Sequence, residues 1–164
     1  MDSSVHPNQS LLDQQVQSFR RMPRAVAHWV EKTDPSKLDW IPGEAGVTKA
    51  RSIMNQVGEL VGIQRNRAAA LRGEPQPGPS EPIYFESAED AIKALVDSGD
   101  AVADALIANG PAGLDEVQST FAGPMKVKDF NDICIMNLAY HGGTINAFQL
   151  MLGDEEFHVP PGFF

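Results

Sequence analysis

Apolar side chains recur every three or four residues along four stretches of the chain, a pattern typical of amphipathic helices. The first stretch covers about residues 10–32 and contains Pro23, which we expect to bend the helix. The second covers about 48–71, with Thr48 as the expected N-cap. The third begins after Ser87, where a Ser-x-x-Asp capping box is predicted, and the fourth covers about 127–152.

Helix-breaking residues separate these four stretches. Asp34-Pro35 and Pro42-Gly43 interrupt the first connection, and residues 73–82 hold four prolines and two glycines. Asn109-Gly110-Pro111 ends the third helix, and no long strand pattern competes. We therefore predict an all-α fold, an antiparallel four-helix bundle. We expect a single domain over residues 1–164, with a disordered or loosely held N-terminus at about 1–9 and a C-terminal tail at about 154–164.

Length and composition fit a reducing compartment and exclude some classes of partner. The 164 residues are enough for one packed core, and the single cysteine, Cys134, cannot form an intramolecular disulfide. Neither a secretory signal nor a run of about 20 apolar residues is visible, so we expect a cytoplasmic protein without membrane contact. The net charge of −9 argues against nucleic acid, and Arg65, Arg67 and Arg72 are predicted to form a solvated helix face.

The fourth helix carries the most chemistry. Eight of its residues share one face, namely Val127, Phe130, Cys134, Asn137, His141, Ile145, Phe148 and Leu152. Asn137 and His141, one turn apart, interrupt an otherwise apolar stripe. Burying them without partners costs a few kcal/mol each, so the bundle must supply hydrogen bonds, water or a metal.

Two interpretations of His141 are open from this pattern. A single histidine on an apolar face is usually a hydrogen-bonded core residue, and asparagine is a poor ligand for zinc. Alternatively, the two side chains converge on one ion or ligand, because residues four apart lie above one another on a helix. Gly142 and Gly143 fit either interpretation, through close helix contact or through space for a ligand.

Short motifs resemble the DinB/YfiT-like (DUF664-type) family, in which the last helix reads H-x-x-x-H-x-G-Q-I and ends in Leu-Gly. The matching run here is His141-Gly142-Gly143-Thr144-Ile145, followed by Leu150, Leu152 and Gly153. Upstream, the family's L-x-W-x-P and W-S-I motifs are similar to Leu38, Trp40 and Pro42 and to Arg51-Ser52-Ile53. The resemblance covers about residues 11–153 and implies the same four-helix bundle.

The resemblance also implies a divalent metal site, often for nickel or zinc, with one histidine on helix two and two on helix four. By position, His141 matches the final histidine of the family motif, Asn137 the histidine before it and Glu59 the histidine on helix two. The resemblance therefore implies these three residues as metal ligands. With one histidine left, the metal would be weakly bound or absent. Glu59 projects away from the apolar face of helix two, so a solvated position is an equal alternative, and Gln56 is another candidate to line the site.

Two functions follow from the resemblance. The first is a small-molecule or residual metal-binding module with a degenerate site. The alternative is a divalent-metal-dependent thiol S-transferase or thiol-dependent isomerase, with His141 as anchoring ligand and Glu59 as second ligand or general base. The expected partners are a small-molecule thiol or electrophile and a second copy of the chain in a homodimer, with which an aromatic tail (Phe157, Phe163 and Phe164) is compatible.

Overall fold

The computed structural model describes residues 6–43, 50–75 and 83–162. Four helices carry most of them: α1 Gln9–Lys32, α2 Ile53–Leu71, α3 Ala88–Gly113 and α4 Val127–Met151. A short 3-10 turn, Pro35–Lys37, follows α1, and an antiparallel hairpin of β1 Val117–Thr120 and β2 Gly123–Lys126 precedes α4. The predicted four-helix bundle is confirmed. The sequence pattern does not reveal the hairpin, because strands of four residues are too short to show a clear alternation.

Serine side chains fix the starts of α2 and α3. Ser52 Oγ accepts a hydrogen bond of 3.2 Å from the backbone N–H of Asn55, so α2 begins at Ile53. The N-cap predicted at Thr48 lies outside the described residues. Ser87 Oγ accepts from the N–H of Asp90 at 3.1 Å, which confirms the predicted cap of α3.

The third helix breaks where the sequence predicts it. Gly110 has φ 67°, so α3 breaks at this residue and continues only for a last short turn to Gly113. A φ in this left-handed region favours glycine. Helix α1 runs without interruption through Pro23, which is buried, and the bend expected there stays a prediction.

Each helix packs against two neighbours, in the order α1, α3, α2, α4 around the bundle. Helices α1 and α3 run in opposite directions, as the ion pairs Arg20–Asp104 and Arg24–Asp100 show. Helices α2 and α4 are likewise antiparallel, so two helices run in each direction. The interior surfaces of all four meet in one core, whose fully buried members include Phe19, Val26, Leu60, Leu95, Leu106, Leu138 and Ile145.

Helix α3 runs in the same direction as α2. Asn109, near the end of α3, donates a hydrogen bond of 2.8 Å to the carbonyl oxygen of Leu71 at the end of α2. The chain that leads into α3 crosses α2 near its start, at Gly58. A Cβ on Gly58 would lie 2.1 Å from the carbonyl oxygen of Ile83, so only glycine allows the two backbones to approach so closely.

The sequence predicts a solvated face for the three arginines in and just after α2, and the structure shows this for two of them. Arg65 and Arg72 are exposed, as a solvated face requires, and Arg72 pairs with Glu74 at 2.8 Å. The prediction is wrong for Arg67, which is only 2% exposed. Within the described residues, no helix is long and apolar enough to cross a bilayer.

Arg67 is buried because the hairpin and the start of α4 supply acceptors for its guanidinium. Its Nε donates to Asn131 Oδ1 at 2.7 Å, Nη1 to Gln118 Oε1 at 2.8 Å and Nη2 to the carbonyl oxygen of Val127 at 3.1 Å. The group also lies 5.1 Å from the centroid of the Phe130 ring, within cation–π range. Arg67 therefore joins α2, β1 and α4 in one contact.

Candidate functional site

The first turns of α2 and the middle of α4 meet around a cavity of about 410 Å³. The three residues predicted as ligands, Glu59, Asn137 and His141, all line it. The other lining residues are Ala50, Arg51, Gln56, Tyr140, Thr144 and Phe148. The helical stripe of α4 thus directs its polar positions into this cavity, while its apolar positions enter the core.

His141 is a buried imidazole, 5% exposed, whose hydrogen bond with Gln56 indicates its tautomer. Its Nδ1 lies 3.0 Å from Gln56 Oε1. The amide nitrogen of Gln56 donates to the carbonyl oxygen of Arg51 at 3.3 Å, which turns Oε1 towards the histidine. Because an amide oxygen only accepts, Nδ1 carries a proton, and in the neutral imidazole Nε2 is therefore an unprotonated acceptor.

The sequence leaves open whether Glu59 faces solvent or the interior. In the structure it faces the cavity. Its Oε2 lies 3.8 Å from His141 Nε2, too far for a hydrogen bond. The same oxygen accepts a hydrogen bond from Arg51 Nη1. The side chain of Glu59 is 29% exposed and that of Arg51 57% exposed, so this ion pair lies at the mouth of the cavity.

Asn137 offers a second hydrogen-bonding group at the cavity. It lies one turn before His141 on α4, and its Oδ1 is buried with no hydrogen-bond partner among the described residues. An unpaired buried amide oxygen costs about 1–3 kcal/mol. A bound molecule that donates a hydrogen bond to Asn137 would recover that cost.

Burial sets the charge states at this site. It lowers the pKa of His141 to about 4, with a further lowering by the nearby positive charge of Arg51. The imidazole is therefore neutral at pH 7. Burial also raises the pKa of the Cys134 thiol to about 11, so Cys134 stays protonated and is a poor nucleophile, as its position on the inward stripe predicts.

The donor atoms do not match those of a zinc or nickel site. In the parts of the chain that the structure describes, no three His, Cys, Asp or Glu side chains are grouped so that they could hold a metal. His141 Nε2 and Glu59 would supply two ligands, Asn137 only a weak amide oxygen, and Glu59 is already paired with Arg51. That His141, Glu59 and Asn137 bind a divalent ion stays a prediction.

Tyr140 and Arg51 are among the cavity residues that sequence reasoning did not predict. Tyr140 packs edge-on against His141, with 5.2 Å between ring centroids, and only its position next to His141 could have indicated it. Arg51 reaches Glu59 from outside α2, and the periodicity of the helix does not predict the contact because Arg51 precedes its first residue. Gln56, in contrast, was predicted from its place on α2 and is the partner of His141.

The family model of the DinB superfamily matches residues 18–145, most of the chain. The chain belongs to the DinB superfamily. The match begins in α1 and reaches past His141, so it includes the whole set of Glu59, Asn137 and His141. No curated protein matches the sequence of this DinB-superfamily member.

Proposed function

We propose that this DinB-superfamily protein is a small-molecule-binding module, whose ligand occupies the cavity beside His141 and donates a hydrogen bond to Nε2. The observation that supports this is the unprotonated nitrogen of a buried imidazole at a cavity of about 410 Å³. The buried amide oxygen of Asn137, unpaired within the part of the chain that the structure describes, adds a second acceptor. Ligand sites commonly combine a concave surface with a few such polar groups.

The charge state of His141 favours binding over acid–base catalysis. A free thiol has a pKa of about 8.5, whereas the conjugate acid of His141 has a pKa of about 4. The proton of a bound thiol or alcohol therefore stays on the ligand. His141 acts as a hydrogen-bond acceptor that positions the ligand and does not take its proton.

The lining of the cavity indicates the chemical class of the ligand. His141, Asn137 and Glu59 offer acceptors on the α2–α4 side, and Phe148 and Tyr140 supply aromatic surface. A small molecule with one hydrogen-bond donor group and an apolar part fits both. A low-molecular-weight thiol, the partner expected from the resemblance, belongs to this class.

A panel of small thiols, alcohols and amides tests the proposed function by ¹H–¹⁵N NMR. We expect at least one class to shift the signals of Asn137 and His141 saturably at up to millimolar concentration, and His141→Phe to weaken that binding about tenfold or more, because it removes the acceptor. His28→Phe, in a separate cavity next to α1, is the matched control and should leave the binding unchanged. Shifts that persist in His141→Phe, or a panel without saturable shifts, would contradict the proposal.

The metal-dependent thiol S-transferase or thiol-dependent isomerase is the second candidate. It is favoured by the 3.8 Å separation between Glu59 Oε2 and His141 Nε2, two atoms of types that bind divalent metals. The pairing of Glu59 with Arg51 opposes it. Stoichiometric nickel or zinc in the purified protein, lost in His141→Ala, would favour this candidate over the binding module.

We also propose that two copies associate through the outer face of α4. Residues 133–153 contain no Asp, Glu, Lys or Arg, although the chain has a net charge of −9. The exposed positions of this part of α4 are Met136, Ala139, Tyr140, Gly143, Ala147, Leu150 and Met151. Small residues lie in the middle and large apolar residues at both ends, so an antiparallel pair related by a two-fold axis places Met136 of one copy near Leu150 of the other.

Sedimentation velocity tests this homodimer. We expect the wild type to dimerise at micromolar concentration and Leu150→Glu to raise the dissociation constant at least about tenfold, because it buries an unpaired charge at the end of the interface. Ile107→Glu changes an exposed apolar residue of α3 and should leave the dimer intact. A wild type that stays monomeric, or a Leu150→Glu variant that dimerises equally well, would contradict the homodimer.

A further inference from the structure

Arg51 and His141 approach the same carboxylate oxygen. Arg51 Nη1 donates to Glu59 Oε2, and this oxygen is also the atom of Glu59 that lies 3.8 Å from His141 Nε2. The guanidinium therefore lies at the position from which a cation would bind Glu59 beside the imidazole. Among the described residues that line the cavity, Arg51 is the one with a permanent positive charge.

A divalent ion and this guanidinium cannot share Glu59 favourably. An ion bound between Glu59 Oε2 and His141 Nε2 would lie within a few ångströms of the Arg51 guanidinium, where two positive charges repel strongly. Arginine cannot relieve the repulsion by losing its proton, because it stays charged at all physiological pH values. The ion would have to break the Arg51–Glu59 pair before Glu59 could become a ligand.

We propose that the Arg51 guanidinium is the cation that binds Glu59 at this site, in the place of a divalent metal. It neutralises Glu59, holds the carboxylate at the mouth of the cavity and keeps metal away from His141 Nε2, which remains an acceptor for other ligands. This role does not depend on the identity of the small molecule in the proposed function, because it concerns the protein without its ligand.

Isothermal titration of the full chain with zinc chloride, and separately with nickel chloride, tests the proposal. We expect Arg51→Met, which keeps the length of the side chain and removes its charge, to bind one equivalent of at least one metal about tenfold or more tightly than the wild type. Arg51→Met/Glu59→Gln should lose this gain, which locates the added affinity at Glu59.

Arg72→Met is the matched control, since it removes an exposed, ion-paired arginine that follows the last residue of α2, at the opposite end from Arg51, and changes the net charge equally. It should bind metal no better than the wild type. Circular dichroism confirms that each variant is folded, and Arg51→Gln is measured in parallel as a second neutral substitution. The proposal is overturned if the folded Arg51 variants gain no affinity, if the gain survives Glu59→Gln, or if the wild type already binds metal as tightly as they do.

Discussion

Arg67→Met is expected to lower the free energy of unfolding by about 3 kcal/mol. The substitution removes the arginine donor from two buried acceptors, Asn131 Oδ1 and the carbonyl oxygen of Val127, and from the half-buried Gln118 Oε1. A buried acceptor left unpaired costs about 1–3 kcal/mol. Burial of the guanidinium is unfavourable and lowers the pKa of Arg67 to about 10, so removing the charge recovers some free energy. This gain is smaller than the combined loss of three hydrogen bonds and of the packing on Phe130. Urea unfolding followed by circular dichroism measures the difference.

The control for this prediction is Arg65→Met on the same helix. Arg65 is exposed, so its substitution should change the free energy of unfolding by no more than about 0.5 kcal/mol. If Arg67→Met proves as stable as Arg65→Met, the contact that joins α2, β1 and α4 does not stabilise the fold.

Stability is expected to fall by up to about 3 kcal/mol between pH 6.5 and pH 4 on account of His141 alone. The unfolded imidazole binds its proton near pH 6.5, whereas burial, and secondarily Arg51, lowers the pKa of the folded one to about 4. In this window the unfolded state binds more protons, so the free energy of unfolding rises with pH. The stability that neutral His141 contributes is fully present above pH 6.5, the pKa of the imidazole in the unfolded chain. It is lost as the pH falls to about 4, the pKa of His141 in the folded protein.

Unfolding free energies of the wild type and of His141→Gln at several pH values isolate this contribution. Carboxylates such as Asp115 and Asp154, whose pKa values are lowered by their hydrogen-bonding partners, also favour the folded state at higher pH and affect both proteins equally. The difference between the two proteins should therefore change with pH mainly between 4 and 6.5. A constant difference across this range would show that His141 titrates normally and is not desolvated.

Helix four was predictable from the sequence because its periodicity and its environment agree. A single apolar stripe must face the core, so the polar groups on that stripe, Asn137 and His141, must face the interior as well. The capping serine before α3 and the glycine that ends it are also local signals, because each acts within one helical turn. Of these features, the stripe of α4 positions one side of the cavity.

Other features of the fold and of the cavity depend on contacts that local patterns do not contain. Arg67 is buried by acceptors from the hairpin and α4, which follow it by 51 to 64 residues in the chain. Glu59 faces inward because Arg51 and His141 lie on either side of its carboxylate, not because α2 is apolar at that position. Only the packing of α2 against α4 determines these orientations.

Long-range ¹H–¹⁵N NMR of the His141 ring at pH 7, with and without one equivalent of zinc chloride, tests the central claim most directly. The account predicts a protonated Nδ1, an Nε2 shift typical of an unprotonated nitrogen and no saturable change when zinc is added. A protonated Nε2, or an Nε2 signal that moves saturably with zinc, would contradict a metal-free acceptor site at His141.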